Sequence, residues 1–254
     1  MHIWEMGEKM QFVRATLSES ARKFLDHVLA LKPRHAVFDC DGTLWSGDVG
    51  ADFFFYEIEH GLIPPAAAKQ ILARYQQYKA GTVDELSMCG EMVTIHQGIA
   101  EKDIRALAAE LFRTVIEPRI FPEMRELTYR LADDGCQVWA VSSTNNWSIE
   151  AAAPSFRIPQ ERVIAASVEI ENLCATGRLL RVPTDELKAT AIQELIGCRV
   201  DAIFGNSIHD LAMLETTPHP FAVNPNPDLE KIARTRGWTV YQPTSTTQPS
   251  EVSF

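Results

Sequence analysis

Four short segments of the sequence carry side chains that could do chemistry at one site. The first holds Asp39 and Asp41, which close the apolar run 36–40 and precede Gly42. Two carboxylates two residues apart on an extended chain face the same side, and they repel unless a cation lies between them or one holds a proton. The pair therefore indicates a cation-dependent centre, or else an ordinary turn in which Asp and Gly satisfy local geometry.

The second and third segments each offer one polar group. Ser142 ends the apolar run 138–141, where its hydroxyl could donate to a phosphoryl oxygen or cap the next helix; Ser143 is the competing choice. Lys188 lies near the start of a predicted helix, where its charge opposes the helix dipole. The apolar face of that helix is marked by Leu187, Ala191 and Leu195. Lys188 at the edge of this face is either a functional group or a solvated lysine.

The fourth segment follows the apolar residues 202–204. Asn206 and Asp210 are four residues apart, so at a helix start they point the same way. Both offer oxygen ligands of the kind that Mg²⁺ prefers. We expect the neighbouring His209 to lie on the loop surface and not to act as a ligand.

The elements around these segments predict an α/β fold. Apolar runs predict strands at 36–40, 137–143, 162–170, 201–206, 220–224 and 238–242. Helical periodicity places helices at 122–134, 146–153, 185–196, 208–215 and 227–236, after a first helix that Ser18 caps. This alternation is typical of a parallel, Rossmann-like sheet covered on both faces. Residues 171–183, with Gly177 among them, are predicted to form a hairpin or flap, and the tail from 244 to be frayed.

A block without strands interrupts this pattern after the first strand. Helices are predicted near 51–60, 65–79, 83–97 and 101–114. We therefore expect an α/β core domain formed by residues 1–49 and 119–254, with an inserted all-helical domain at 50–118.

Composition and net charge limit the kinds of partner that the protein can bind and indicate its cellular compartment. The chain has 254 residues and a net charge of −10, which disfavours nucleic acid and anionic membranes. The N-terminus lacks the apolar region of a signal peptide, and no run is long enough to span a bilayer, so a cytoplasmic protein is expected. The five cysteines show no metal-ligand spacing, and four lie among apolar or alternating residues that predict buried thiols. Oligomeric state is left open.

The order of the four segments resembles the haloacid dehalogenase superfamily, whose signature is DxD, then Ser or Thr, then Lys, then an acidic GDxxxD-type motif. The helical block resembles the C1-type cap of the branch that contains phosphoserine phosphatase, and residues 44–50 resemble phosphorylcholine phosphatase-like members. One departure is Asn206, an amide where the family has a carboxylate.

The resemblance implies a phosphatase with a set of residue roles. Asp39 is the expected nucleophile and Asp41 the general acid/base, which argues against dehalogenation because a halide leaving group needs no proton. Ser142 is expected to orient a phosphoryl oxygen and Lys188 to offset negative charge. Mg²⁺ is the expected cofactor. Its expected ligands are Asp39, the main-chain carbonyl of Asp41, Asn206 and, through water, Asp210.

Substrate choice is expected where the helical block meets the core. Asp48 lies seven residues after Asp41, where phosphoserine phosphatases place a glutamate that binds the substrate amine. With Trp45 and the aromatic run 53–56 it could form a cage for an ammonium group, although those aromatic residues could equally be helix core. Ser143 is a further expected substrate contact. Phosphocholine, phosphoethanolamine and phosphoserine are the candidate substrates. The alternatives are a phosphotransferase that uses the same aspartyl-phosphate, or a non-catalytic binding protein with this fold.

Overall fold

The structure is a computed structural model that describes residues 17–244. The N-terminal segment examined for a signal peptide and almost all of the tail predicted to be frayed lie outside the described residues.

Within residues 17–244, seven strands form one sheet. In chain order they are β1 His35–Phe38, β2 Gln137–Asn145, β3 Val163–Glu171, β4 Cys174–Arg181, β5 Ala202–Gly205, β6 His219–Val223 and β7 Thr239–Tyr241. The spatial order is β4-β3-β2-β1-β5-β6-β7, and all neighbours are parallel except β3 and β4. The chain thus winds outward in both directions from β1, and in such sheets ligands bind beyond the carboxyl ends of the strands where the order reverses. The predicted α/β fold class is confirmed.

Helices cover both faces of the sheet. In chain order the α-helices of residues 17–244, not all of which pack on the sheet, are α1 Glu19–Ala30, α2 Val49–Glu59, α3 Pro65–Lys79, α4 Glu85–Thr94, α5 Glu101–Leu111, α6 Pro122–Asp133, α7 Asn146–Ala152, α8 Glu186–Ile196, α9 Leu211–Leu214 and α10 Pro227–Arg236. Ser18 caps α1 as predicted, accepting the amide N–H of Ala21 at 3.1 Å. Alternate residues of β1 divide between two apolar clusters: Phe38 joins one and Val37 the other.

The stretch Val49–Arg119, which we call the helical insert, contains α2 to α5 followed by one π turn and one 3-10 turn. No strand lies in it, as expected. Part of the insert has its own small core, made by Phe54, Ile71, Val83 and Met88. Phe53 and Ile104 instead pack into the main cluster of the sheet layer. The insert therefore rests on the sheet at its α2 and α5 side.

A hairpin forms in this region, but with other bounds than the predicted 171–183: it consists of β3 and β4, and Gly177 lies within β4 and not at the turn. Its two turn residues, Asn172 and Leu173, both have positive φ (51° and 63°), the geometry of a tight two-residue turn that matches strand twist. The hairpin also contacts the insert, because the N–H of Gly98 donates to the carbonyl of Ala175 at 2.8 Å. This hydrogen bond ties the edge of the sheet to the segment that follows α4.

Two local predictions were wrong. On α8, Leu187 and Leu195 are exposed, whereas Lys188 and Ile192 are buried, so the inward face is one position away from the apolar pattern. The reason is that the buried carboxylates of Asp39 and Asp210 bind the ammonium group of Lys188, so the face of α8 that carries Lys188 is the one that packs inward. Of the cysteines, Cys40 and Cys136 alone are buried; Cys89 and Cys174 are half-buried, and Cys198 is exposed.

Among residues 17–244, no helix has the length and apolar character needed to cross a membrane.

Candidate active site

A buried lysine from the third predicted segment joins the first segment to the fourth. The Lys188 Nζ lies 2.7 Å from Asp39 Oδ1 and 2.6 Å from Asp210 Oδ1, and all three side chains are buried. Asp39 follows β1 directly, Asp210 lies in the turn after β5, and Lys188 is in the first turn of α8. Residues 149 and 22 positions apart in sequence are thus brought together at the carboxyl ends of two adjacent strands.

The charges in this cluster do not balance. Burial raises the pKa of Asp39 to about 7, and the charges of Asp210 and Asp41 add to the rise, while Lys188 opposes it. Burial alone would lower the pKa of Lys188, but Asp210 and Asp39 outweigh it and the pKa lies above its usual value. Three carboxylates beside one ammonium leave an excess of negative charge that favours a further cation or a proton.

Asp41 is held by three donors. Its Oδ1 accepts the indole N–H of Trp45 at 2.7 Å and the amide N–H of Val49 at 2.8 Å, and its Oδ2 accepts the hydroxyl of Thr144 at 2.7 Å. Burial raises the pKa of Asp41, against the effect of these hydrogen bonds. A carboxyl group fixed in orientation and shifted toward the protonated form suits a general acid.

The end of β2 presents four consecutive residues to the site. Ser142, Ser143, Thr144 and Asn145 all line the same cavity. A regular strand would alternate them between two faces, but the pairing of β2 with β3 shifts register between Ser142 and Asn145. The irregularity turns Thr144 toward Asp41. Ser142 is buried and its Oγ accepts the N–H of Thr144 at 3.1 Å, whereas Asn145 caps α7, so Ser142 is not the predicted helix cap.

The loop after β5 closes over Asp210. Its Oδ2 accepts the amide N–H groups of Asn206 and Ser207, both at 2.9 Å. The side chain of Asn206 packs on Gly42, whose φ is +75°; a Cβ there would lie 1.9 Å from Asn206 Nδ2. The close approach therefore requires glycine and brings Asn206 against the loop that carries Asp39 and Asp41.

His209 lies partly exposed, as expected, with Nδ1 2.8 Å from Asp185. It also lines the cavity, which the sequence did not indicate.

Several of these groups line one cavity of about 260 Å³ between the strand ends and the helical insert, and Asp210 is buried behind it. The lining includes Asp39, Asp41, Lys188, Asn206 and Asp48. Asp48 is exposed; it caps α2 by accepting the N–H of Ala51 at 2.9 Å, and it is one of the residues that line the cavity. Protein atoms around the carboxylate displace part of its water, and this desolvation, together with the charge of Asp41, raises the pKa of Asp48 to about 6.

Trp45 is placed differently from its prediction as a substrate contact. Trp45 is buried, with its ring centroid 5.8 Å from that of Phe156. Its indole N–H donates to Asp41, but the side chain does not line the cavity. Phe53 and Phe54 are also buried. The predicted cage of these aromatics does not form, because the first turns of α2 direct them into the core and not toward Asp48. Trp45 instead orients Asp41.

The aromatic residues that do line the cavity come from α3. Tyr75 and Tyr78 face it, together with Glu85 at the start of α4. Sequence reasoning missed all three because their role depends on how the insert docks on the sheet. The spacing of Tyr75 and Tyr78, three apart on one helix face, is a signal that could have pointed to them.

The donors for a divalent cation are oxygen atoms. Among residues 17–244, no group of three or more His, Cys, Asp or Glu side chains is arranged as a metal site. The set expected from the sequence has two carboxylates, Asp39 and Asp210, completed by the Asn206 amide and the Asp41 carbonyl. It fits Mg²⁺ by donor type, and the excess negative charge around Lys188 gives a divalent cation an electrostatic reason to bind.

Comparisons with known proteins show what this chain is similar to. The model of the family "haloacid dehalogenase-like hydrolase" matches residues 36–215, more than half of the chain. A histidinol-phosphatase of Neisseria meningitidis is 26% identical over 216 residues, which cover 81% of this chain and 96% of the relative. A phosphoserine phosphatase of Mycobacterium tuberculosis is 26% identical over 221 residues, covering 81% of this chain and 69% of that protein.

A solved structure supports the fold. A protein of unknown function from Bordetella pertussis has a TM-score of 0.71 and 24% identity, with 82% of this chain and 98% of that one covered. The family match spans all four segments that the sequence singled out, from Asp39 to Asp210. The chain belongs to the haloacid dehalogenase-like hydrolase family.

Proposed function

We propose that this protein is a phosphatase that hydrolyses small, amine-bearing phosphomonoesters through a phosphorylated Asp39. The observation that carries the proposal is the buried cluster of Asp39, Lys188 and Asp210, of which Asp39 and Lys188 line a cavity that Asp41 also lines. The family of hydrolases and the two relatives named as phosphatases support the reaction class.

The first step forms a bond between a carboxylate oxygen of Asp39 and phosphorus while the ester P–O bond breaks. The electron pair of that bond leaves with the alkoxide, which takes the proton of Asp41. Lys188 and the hydroxyl of Thr43, 3.0 Å from Asp39 Oδ2, hold the nucleophile in place. Lys188 also offsets the charge that gathers around the phosphoryl group.

The second step returns the enzyme to its starting state. Water attacks phosphorus, Asp41 accepts its proton, and the bond between phosphorus and Asp39 breaks to release inorganic phosphate. Thr144 and Trp45 keep the Asp41 carboxyl oriented through both proton transfers. Ser142 or Ser143, at the end of β2, donates to a phosphoryl oxygen.

Mg²⁺, held by Asp39, the Asp41 carbonyl, Asn206 and Asp210, would neutralise negative charge on the phosphoryl oxygens when bound. The amide at Asn206 supplies one charge less than a carboxylate would. We expect weaker magnesium binding than with an aspartate at this position, so Asn206→Asp should lower the magnesium concentration needed for half-maximal activity.

Asp48 at the cavity wall is the group proposed to face a substrate amine, so phosphocholine, phosphoethanolamine and phosphoserine are candidate substrates. Both relatives have names that refer to amine-bearing phosphomonoesters. The test is phosphate release from a panel of phosphomonoesters with Mg²⁺ or with EDTA, for wild-type protein and Asp39→Asn. Magnesium-dependent release that Asp39→Asn abolishes is expected. Activity that persists in a folded Asp39→Asn variant would refute the mechanism, and phosphate delivered to an added alcohol would indicate a phosphotransferase.

A further inference from the structure

The part of the cavity wall formed by the helical insert carries a second fixed carboxylate. Glu85 is the first residue of α4 and lines the cavity with Asp48. Its carboxylate accepts a hydrogen bond from the hydroxyl of Tyr78 and lies 3.5 Å from the thiol of Cys89, one turn along α4. Two donors from two helices hold Glu85, so its position is set by the fold.

The surfaces beside Glu85 and Asp48 suit an alkylammonium group. The ring of Tyr75 and the side chains of Met88 and Met92 line the same cavity. Aromatic faces attract cations, and thioethers adapt to methyl and methylene groups. A leaving group with a positive charge and short apolar arms finds both kinds of contact here.

The cavity has no free Lys or Arg that could bind a second anionic group of the substrate. Lys188 is the single Lys or Arg among its lining residues, and it is engaged by Asp39 and Asp210. His209 also lines the cavity, but its Nδ1 lies 2.8 Å from the carboxylate of Asp185. The nearby Arg119 pairs with Asp52, and Arg74 pairs with Glu91, and neither lines the cavity. A carboxylate on the substrate would face two fixed carboxylates without a counter-ion, which costs binding free energy.

We infer that the site selects phosphomonoesters whose alcohol carries an ammonium group and no carboxylate, with Glu85 as a specificity-determining residue beside Asp48. Among the candidate substrates this favours the phosphates of amino alcohols over phosphoserine. The inference rests on the proposed function.

The substrates themselves provide the first test. Phosphoethanolamine and phosphoserine differ by one carboxylate, and propyl phosphate replaces the ammonium by a methyl group. We expect kcat/KM for phosphoethanolamine to exceed that for each of the other two by at least about tenfold, the ratio that one charge interaction of ~1.4 kcal/mol produces. Equal or faster turnover of phosphoserine would overturn the inference.

The second test isolates Glu85. Glu85→Gln removes the charge and keeps an acceptor for Tyr78, and Glu91→Gln is the matched control because Glu91 lies on the same helix but pairs with Arg74 outside the cavity. We expect Glu85→Gln to reduce the ratio of phosphoethanolamine to propyl phosphate turnover by about tenfold, and Glu91→Gln to preserve that ratio. A structural role alone would slow both substrates alike, and an unchanged ratio in Glu85→Gln would refute the assignment.

Binding separates this inference from the proposed function. Titration calorimetry of phosphoethanolamine and phosphoserine is done with wild-type protein in EDTA and with Asp39→Asn. Tighter binding of phosphoethanolamine without turnover of any phosphomonoester would reject the phosphatase mechanism and uphold the pocket. Phosphate release with no preference for the ammonium in either assay would uphold the mechanism and reject the pocket.

Discussion

Replacing Lys188 by methionine should destabilise the protein far more than removing an equally short ion pair from its surface. Lys188→Met keeps the length of the side chain but leaves Asp39 and Asp210 buried without their cation. Removing one partner of a buried ion pair typically costs ~3–5 kcal/mol of unfolding free energy, because the remaining charge stays desolvated.

The chain offers a matched control for this variant. Lys23 lies 2.6 Å from Glu19, the same distance as Lys188 from Asp210, but the two surface side chains are 76% and 80% exposed. Such pairs on a helix contribute about 0.3–0.5 kcal/mol. Any difference in the loss of unfolding free energy between Lys188→Met and Lys23→Met is therefore due to burial and not to the ion-pair distance.

The cost of Lys188→Met should also depend on pH in a defined direction. The pKa of Asp39 is about 7 in the folded protein, above its ordinary value of 3.8. The folded state then binds the proton more tightly, so this contribution to stability is fully present below pH 3.8 and is lost as pH rises through about 7. Without Lys188 the pKa rises further, and the variant should recover stability more steeply than wild type as pH falls from 8 to 5, a range of about three units.

The assay is urea unfolding in EDTA, followed by tryptophan fluorescence and circular dichroism at several pH values. We expect a loss of about 3–5 kcal/mol for Lys188→Met at pH 8 and less than about 0.5 kcal/mol for Lys23→Met. A Lys188→Met variant that is no less stable than Lys23→Met, or whose stability rises with pH in this range, would show that the three side chains do not form the buried cluster.

Three further predictions concern the groups around Asp41 and Asp48. Thr144→Val removes a hydrogen-bond donor that stabilises the charged form of Asp41, and a hydrogen bond to a charged group contributes about 1.5–3 kcal/mol. Its loss should raise the pKa of Asp41 and shift the pH profile of kcat to higher pH; an unmoved profile would contradict this role of Thr144. Gly42→Ala should lower Tm more than Gly61→Ala, since both have positive φ (75° and 70°) but only the first would place a Cβ against Asn206; equal losses would mean that Asn206 does not pack there. The pKa of Asp48 is about 6, so the ratio of phosphoethanolamine to propyl phosphate turnover should fall as pH drops through about 6 and Asp48 loses its charge. Asp48→Asn should make this ratio independent of pH. A wild-type ratio that does not change with pH would exclude Asp48 from ammonium binding.

The sequence predicted the fold well where hydrophobic pattern and turn residues agree. The strand before Asp39 and the helix capped by Ser18 lie where periodicity placed them. The same pattern failed at α8, where a buried lysine looks like a surface residue until its carboxylate partners are known. Burial of Lys188 depends on contacts across 149 and 22 residues, which no local window contains.

The candidate site was predictable in its motifs but not in its supporting contacts. Asp39, Asp41, Lys188 and Asp210 stand out by type and spacing, and the structure brings them together. Thr144 was not predictable, because it reaches Asp41 through an irregularity in β2 that strand alternation does not reveal. The residues of α3 and α4 that line the cavity depend on how the insert packs against the sheet. How two layers pack on each other is a tertiary property that a local sequence pattern does not contain. The sequence-based prediction therefore chose the aromatic residues of α2, which are near Asp48 in sequence but buried in the structure.

The central claim is that Asp39 carries the phosphoryl group during turnover. The direct measurement is rapid acid quenching with radiolabelled substrate, followed by borohydride reduction and peptide mass spectrometry. The mechanism predicts label on the peptide that contains Asp39, turning over as fast as phosphate is released and absent from Asp39→Asn. Phosphate release without label on Asp39, or label that survives in Asp39→Asn, would contradict it.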